Sequence, residues 1–288
     1  MSAATSIGPV LPAIPGTRRG RRGRWNGPLV AGLVLFGLIV VCAICAPLLT
    51  SYDPIKQSLS EAFLAPGSKN HVLGTDALGR DVLSRLLYGA RADLQVGVLA
   101  VISPFIIGSL VGLIAGWFGG WVDAIIGRIV DIVIAFPFLV LVIALVFAMG
   151  PGTTSIYTAI TLVGWVAYCR IVRGQVLIAK EQEYTLAARA SGLPTWRILV
   201  RHLLPNVVLQ AIIFSMSDIV LTLLAIVTLG FLGLGVPPPT PDWGTMIQEG
   251  QQFIITKWYM ATIPGLAVVL TGLALALIAD GIVEKANQ

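Results

Sequence analysis

Asp131 and Asp218 each stand inside a long apolar run, where a charged side chain costs about 2.5–3.5 kcal/mol on insertion scales. Such a group has to face water, a cavity or a partner charge. Arg128 precedes Asp131 by one helical turn, so an ion pair along one helix face would account for that carboxylate. Asp218 has only the hydroxyls of Ser215, Ser217 and Thr222 near it and no basic residue in its own run. It is the stronger candidate to line a path for a solute, with Ser215 beside it and Asp131 as a further candidate. A carboxylate in that position would meet an amino group or another cation.

Other chemistry finds little support. Cys42 and Cys45 make a C-x-x-C inside unbroken apolar sequence, whereas redox or metal chemistry needs thiolates in polar surroundings; the pair reads as packing. His71 and His202 lie far apart without a ligand cluster, so no metal site is expected. A phosphate-binding loop needs G-x-x-x-x-G-K-[ST], yet Lys56, Lys69, Lys180, Lys257 and Lys285 follow Ile, Ser, Ala, Thr and Glu. No Ser/His/Asp or Cys/His arrangement argues for hydrolysis. The chain is read as no enzyme, binding no cofactor itself, and no nucleic acid.

One polar stretch interrupts the oil: EYTLAARASGLPTWRILVRHLLPN, residues 183–206. After Glu183, helical spacing puts Tyr184, Ala187, Ala188 and Ser191 on one face, with Arg189 beside them. Gly192 can take the left-handed conformation that ends a helix, and Pro194 suits the first turn of another. Trp196, Leu199, Val200 and Leu203 repeat the spacing, Arg197 and Arg201 lie four apart on a polar side, and Pro205 reads as the stop. Spacing alone leaves two readings open: an amphipathic connector at the interface, or a docking element for a partner.

The elements that must carry these residues follow from composition. The chain is 56% hydrophobic, only 11% charged, with mean hydropathy +0.88, against about 25% charged residues in soluble domains. The class is an all-α membrane protein. Residues 1–27 read as a disordered, basic N-terminus. The apolar run that follows, 28–50, exceeds a secretory signal's core of about 7–15 residues and is read as an uncleaved span. Six segments suffice for a bilayer of about 30 Å, near 28–50, 92–116, 124–148, 154–172, 207–233 and 260–280. Residues 92–281 form the core and 282–288 a tail.

Lys and Arg set the orientation. With the N-terminus inside, the inner segments hold Arg18, Arg19, Arg21, Arg22, Arg24, Arg128, Arg170, Arg173, Lys180, Arg189, Arg197, Arg201 and Lys285; the outer ones hold only Lys56, Lys69, Arg80, Arg85, Arg91 and Lys257. Both termini and the loop 173–206 are expected in the cytoplasm. In the outer segment 51–91, Leu83, Leu86, Leu87 and Ala90 predict an amphipathic helix on the membrane or over a pore mouth. The outer segment 234–259 holds GVPPPTPDWG, too proline-rich for regular structure, with Trp243, Trp258 and Tyr259 suited to an interfacial belt. Gly108, Gly112, Gly116 and Gly120 recur every four residues, a seam for close helix packing.

The polar stretch resembles the "EAA" loop (E-A-A-x3-G-x9-I-x-L-P) of permease subunits in bacterial ATP-binding-cassette importers. Ala187, Ala188, Gly192, Leu204 and Pro205 fall in register; Leu186 stands at the Glu position and His202 at the Ile position. LGTDALGRDVLSRLLYGAR (73–91), GLIAGWFGGWVDAIIGRIVDIVIAFP (112–137) and FLGLGVPPPTPDWGTMIQEG (231–250) are similar to the C-type subunit of dipeptide, oligopeptide and nickel permeases. The tail LIADGIVEKANQ departs from that family's ending. The resemblance implies the type I importer fold, with six membrane helices, cytoplasmic coupling helices and a place in the cytoplasmic (inner) membrane. It also implies partners: a second, different permease, one or two ATPase subunits that hold ATP and Mg, and an extracytoplasmic solute-binding protein. The coupling set it implies is Glu183, Tyr184, Ala187, Ala188, Arg189, Gly192, Trp196, Arg197, Arg201 and Pro205. The cargo implied is peptide, with nickel chelates, haem and other solutes left open. The competing reading is a stand-alone secondary transporter or channel, for which two repeated halves would speak; no clear repeat is visible.

Overall fold

A computed structural model describes residues 27–68 and 71–286. The basic N-terminal segment, with its expected disorder, lies outside the described residues, as does Lys69. Regular structure among the described residues is helical apart from two isolated bridges in the 68–81 segment. Among the described residues five helices are long and apolar enough to span a bilayer, and there are six crossings when the bent pair Gly120–Ile134 and Phe138–Met149 is taken as one broken span.

Helix α1 (Gly27–Ile44) is apolar all round and buries only Gly32 and Ala43, as expected where lipid is the solvent. A short α2 (Ala46–Leu49) follows. Helix α3 (Val82–Phe118) corrects the expected division at residue 91: the predicted amphipathic helix and the second span are one 37-residue rod. Asp81 caps it, accepting from Ser84 N–H at 2.7 Å, and the helix continues through residue 91 and past the internal Pro104. Ser84 and Arg85 are buried, and Leu83, Leu86 and Leu87 half-buried, so its first turns pack inside the fold and do not lie on a surface.

The third span is broken. Helices α4 (Gly120–Ile134) and α5 (Phe138–Met149) meet at 86°. Pro137 has no N–H to donate and disfavours helix at Phe136, which the continuous apolar pattern of 124–148 conceals. Helix α6 (Thr153–Ala179) runs a further two turns past the expected end at 172. It packs on α3 through the predicted glycine seam. A Cβ at Gly108 would overlap Trp165 O, at Gly112 it would lie 2.5 Å from Cys169 O, and at Gly116 2.8 Å from Val176 Cβ. Gly120 does not belong to this seam: it faces open space with φ +53°, in the turn that starts α4.

Helix α7 (Glu183–Ala190) ends as expected, with Gly192 at φ +71°. Pro205, however, stops nothing. Helix α8 (Thr195–Arg197), a π-helical turn (Ile198–Leu203) and α9 (Leu204–Phe231) form one continuous rod. Leu204 N–H reaches back to Leu199 O. This wider turn lets the ladder pass a proline whose ring would otherwise press on a carbonyl four residues back. Residues from Gly233 to Pro241 are irregular, but α10 (Trp243–Gln251) occupies part of the segment read as structureless, and α11 (Tyr259–Ala286) completes the bundle. Alternating chain direction places α7 at one end of the bundle and α10 at the other.

Candidate functional site

Two places gather the functional candidates: the surface at the α7 end and a cavity in the bundle. Thr185 and Ala188 are buried and fasten α7 to the helices above it; the Thr185 hydroxyl donates to Ala179 O at 2.7 Å. Ala188 is therefore turned into the chain's own core, and Ala187 is the small residue that faces out. Tyr184, Leu186, Trp196 and Val200 are exposed apolar side chains. Glu183, Arg189, Arg197 and Arg201 are exposed among them, as are Gly192 and Pro205. The result is an apolar surface studded with cations, with Glu183 and the neighbouring Glu181 as the acids beside them.

This surface is linked to the rods behind it. The Arg189 guanidinium lies 4.2 Å above the Trp117 ring at the end of α3. Arg173 on α6 grips Asp123 on α4 in a two-bonded fork, one arm at 2.6 Å, and Lys180 Nζ donates to Gly116 O at 3.2 Å. Arg197 sits over its neighbour Trp196 at 5.5 Å.

The cavity holds about 720 Å³ and lies where the α4–α5 break faces α6 and α9. Val163, Val166, Ala167 and Arg170 line it from one face of α6; Phe214, Asp218, Leu221, Ala225 and Thr228 line it from one face of α9. Asp218 Oδ2 accepts from the Tyr168 hydroxyl at 2.7 Å. Tyr168 is fully buried and held edge-on between Phe105 and Phe214, with ring centroids 5.6 and 5.1 Å away. Apart from Asp218, Arg170 and Thr228, the named walls are apolar.

Of the sequence-predicted path residues, only Asp218 lines this cavity. Ser215 turns back to its own helix, donating to Ile212 O at 2.7 Å. Asp131 is exposed and outside the cavity, and its expected pair with Arg128 does not form among the described residues. An exposed pair at that spacing stabilises a helix by only about 0.2–0.5 kcal/mol, too little to fix two long side chains. Sequence reasoning missed Tyr168, Trp117 and Asp123, and took Arg170 only as a topology marker. The spacing Val163, Ala167, Arg170 did hold the signal, since it places a cation on one apolar helix face.

Residues 108–288 match the family described as the binding-protein-dependent transport system inner membrane component. The chain belongs to this family. Residues 21–66 match the N-terminal membrane domain of oligopeptide transport permease C. The dipeptide transport system permease protein DppC of Escherichia coli K12 is 42% identical over 263 residues, covering 89% of this chain and 87% of that protein. DppC of Bacillus subtilis 168 is 40% identical over 263 residues, covering 91% and 82%. The di/tripeptide permease DppC of Pseudomonas aeruginosa UCBPP-PA14 is 38% identical over 262 residues, covering 89% and 86%. Among solved structures, a chain of the methionine ABC transporter MetNI, captured facing inward, superposes with a TM-score of 0.52 at 17% identity. It covers 70% of this chain and 95% of that one, a likeness of fold. The fold is that of a type I importer permease.

The opposite end of this permease is stapled by charge. Arg80 and Arg85 both bond to Asp76 Oδ2, at 2.6 and 2.5 Å, and both to Glu249 Oε2 of α10, at 2.8 and 2.7 Å. Asp242 caps α10, accepting from Thr245 N–H at 2.9 Å and the Thr245 hydroxyl at 2.7 Å. Burial pushes its carboxyl above the usual carboxylate range, an effect opposed by the hydrogen bonds from Thr245. Trp243 donates its backbone N–H to Asp93 Oδ2 at 2.9 Å and its indole N–H to Leu86 O at 3.0 Å, locking α10 against α3.

Proposed function

We propose that this chain is a pore-forming permease of an ATP-driven peptide importer, moved by separate ATPase subunits that dock on the α7 surface. The single observation that carries the reading is the junction at that surface. Exposed Tyr184, Leu186, Ala187 and Trp196 face outward, while Thr185, Ala188 and Arg189 bind the same element to α6 and α3. An element gripped from behind and apolar in front transmits rigid-body motion. Because α8 and α9 are one rod through the π-helical turn, a push at Trp196 reaches Asp218 without crossing a loop.

The dipeptide permease relatives support di- or oligopeptides as cargo, and family membership disfavours a stand-alone carrier. The partners in this reading are a second, different permease, one or two ATPases holding ATP and Mg, and an extracytoplasmic binding protein. The excess of Lys and Arg at the α7 end favours a cytoplasmic position for it and for both termini, in the inner membrane. The test is co-purification with the products of neighbouring genes, followed by ATP hydrolysis in proteoliposomes with a panel of solutes on the binding-protein side. Stimulation by loaded binding protein with a peptide, and by no other solute class, is the expected result. Hydrolysis indifferent to every peptide would overturn the cargo, and failure to recover an ATPase would overturn the coupling.

A further inference from the structure

The cavity between the α4–α5 break, α6 and α9 carries two opposite charges that do not satisfy each other. Arg170 projects from α6 and Asp218 from α9, and both line the same space. None of the ion pairs among the described residues includes either. Asp218 is held by a neutral donor, the Tyr168 hydroxyl, from the buried side, so its carboxyl group is oriented but has no cationic partner among the described residues. Ionisable groups in membrane-spanning segments are costly and face cavities or partners. Two opposite charges held apart in one largely apolar cavity, which is open enough to admit water, offer a ligand with two charged ends a partner for each.

Resting on the importer reading above, we propose that this cavity is a way-station for a zwitterionic short peptide, with its ammonium end on Asp218 and its carboxylate toward Arg170. The size fits: about 720 Å³ falls within the roughly 300–1,000 Å³ of small-molecule sites. The polarity fits as well, since apolar walls with a few fixed charges orient a ligand by its ends and tolerate variation between them. Val163, Leu221 and Ala225 would meet peptide side chains without selecting among them. Tyr168 is a positioning residue, aiming the carboxylate while Phe105 and Phe214 hold its ring.

The test reads the cavity directly in the assembled importer, purified without its binding protein. Leu221 lines the cavity and is 58% exposed; Leu221→Cys supplies a thiol for a maleimide, and Leu224→Cys serves as an independent reporter. Alanyl-alanine should protect the thiol, whereas N-acetyl-alanyl-alanine and alanyl-alaninamide should protect it far less. Asp218→Asn should raise the half-protecting concentration of alanyl-alanine about tenfold or more and remove its advantage over the acetylated compound. Arg170→Gln should do the same with respect to the amide. Equal protection by all three compounds, or protection unchanged in both variants, overturns the proposal. So does a thiol blocked without peptide, which would mean that lipid or the second permease fills the space. ATP-dependent uptake by the unaltered importer with its binding protein added back, measured alongside, separates the two levels: its absence removes the importer reading, while its presence without protection removes only the way-station.

Discussion

Arg189 lays its guanidinium 4.2 Å over the Trp117 ring, joining the short helix α7 to the far end of the rod α3. Pairs of this kind contribute about 0.5–1 kcal/mol at exposed sites, so the contact is a joint between two bodies more than a source of stability. Trp117→Leu in the assembled importer should lower the melting temperature modestly, because the half-buried ring also packs against the core, and should lower the amount of peptide moved per ATP hydrolysed. Arg189→Lys should fall between Trp117→Leu and the unaltered protein. The check is parallel measurement of uptake and hydrolysis in one proteoliposome preparation.

The glycine seam makes a graded stability prediction. Gly112→Ala places a methyl carbon 2.5 Å from Cys169 O, a backbone atom that cannot move aside cheaply. Overpacking of that kind costs about 1–3 kcal/mol. Gly120→Ala meets open space and has only its φ of +53° to oppose it, a cost of about 1 kcal/mol. Thermal unfolding in detergent should rank Gly112→Ala below Gly120→Ala, and both below the parent.

At the other end, Asp242→Ala removes the cap of α10 and should cost about 0.5–2 kcal/mol. Trp243 is nearly fully buried and bonded to both Asp93 and Leu86; Trp243→Ala should cost about 3–5 kcal/mol. Proteolysis between α9 and α11 should accelerate in both variants, more in the second.

Much of this was legible in the chain itself, and the rest had physical reasons for staying hidden. Apolar length gave the spans, the spacing of Gly108, Gly112 and Gly116 gave a close-packing face on α3 though not its partner α6, and Gly192 gave the left-handed turn, because each depends on local sequence. The merger of segment 82–91 with the second span, and the passage of the helix through Pro205, depend on how turns are packed and bonded, which periodicity does not report. The break at Pro137 was signalled by the proline but masked by apolar residues on both sides. The cavity needed tertiary register: Tyr168 and Asp218 lie fifty residues apart, as do Asp123 and Arg173. Within the polar stretch, spacing grouped Ala187 with Ala188, yet the fold buries one and presents the other.

The most direct test concerns the side and partner of α7. Ala187→Cys, exposed on that helix, should react with a membrane-impermeant maleimide in inverted vesicles and be shielded when the ATPase is co-expressed. Reaction in right-side-out vesicles, or identical reactivity with and without the ATPase, would contradict the account.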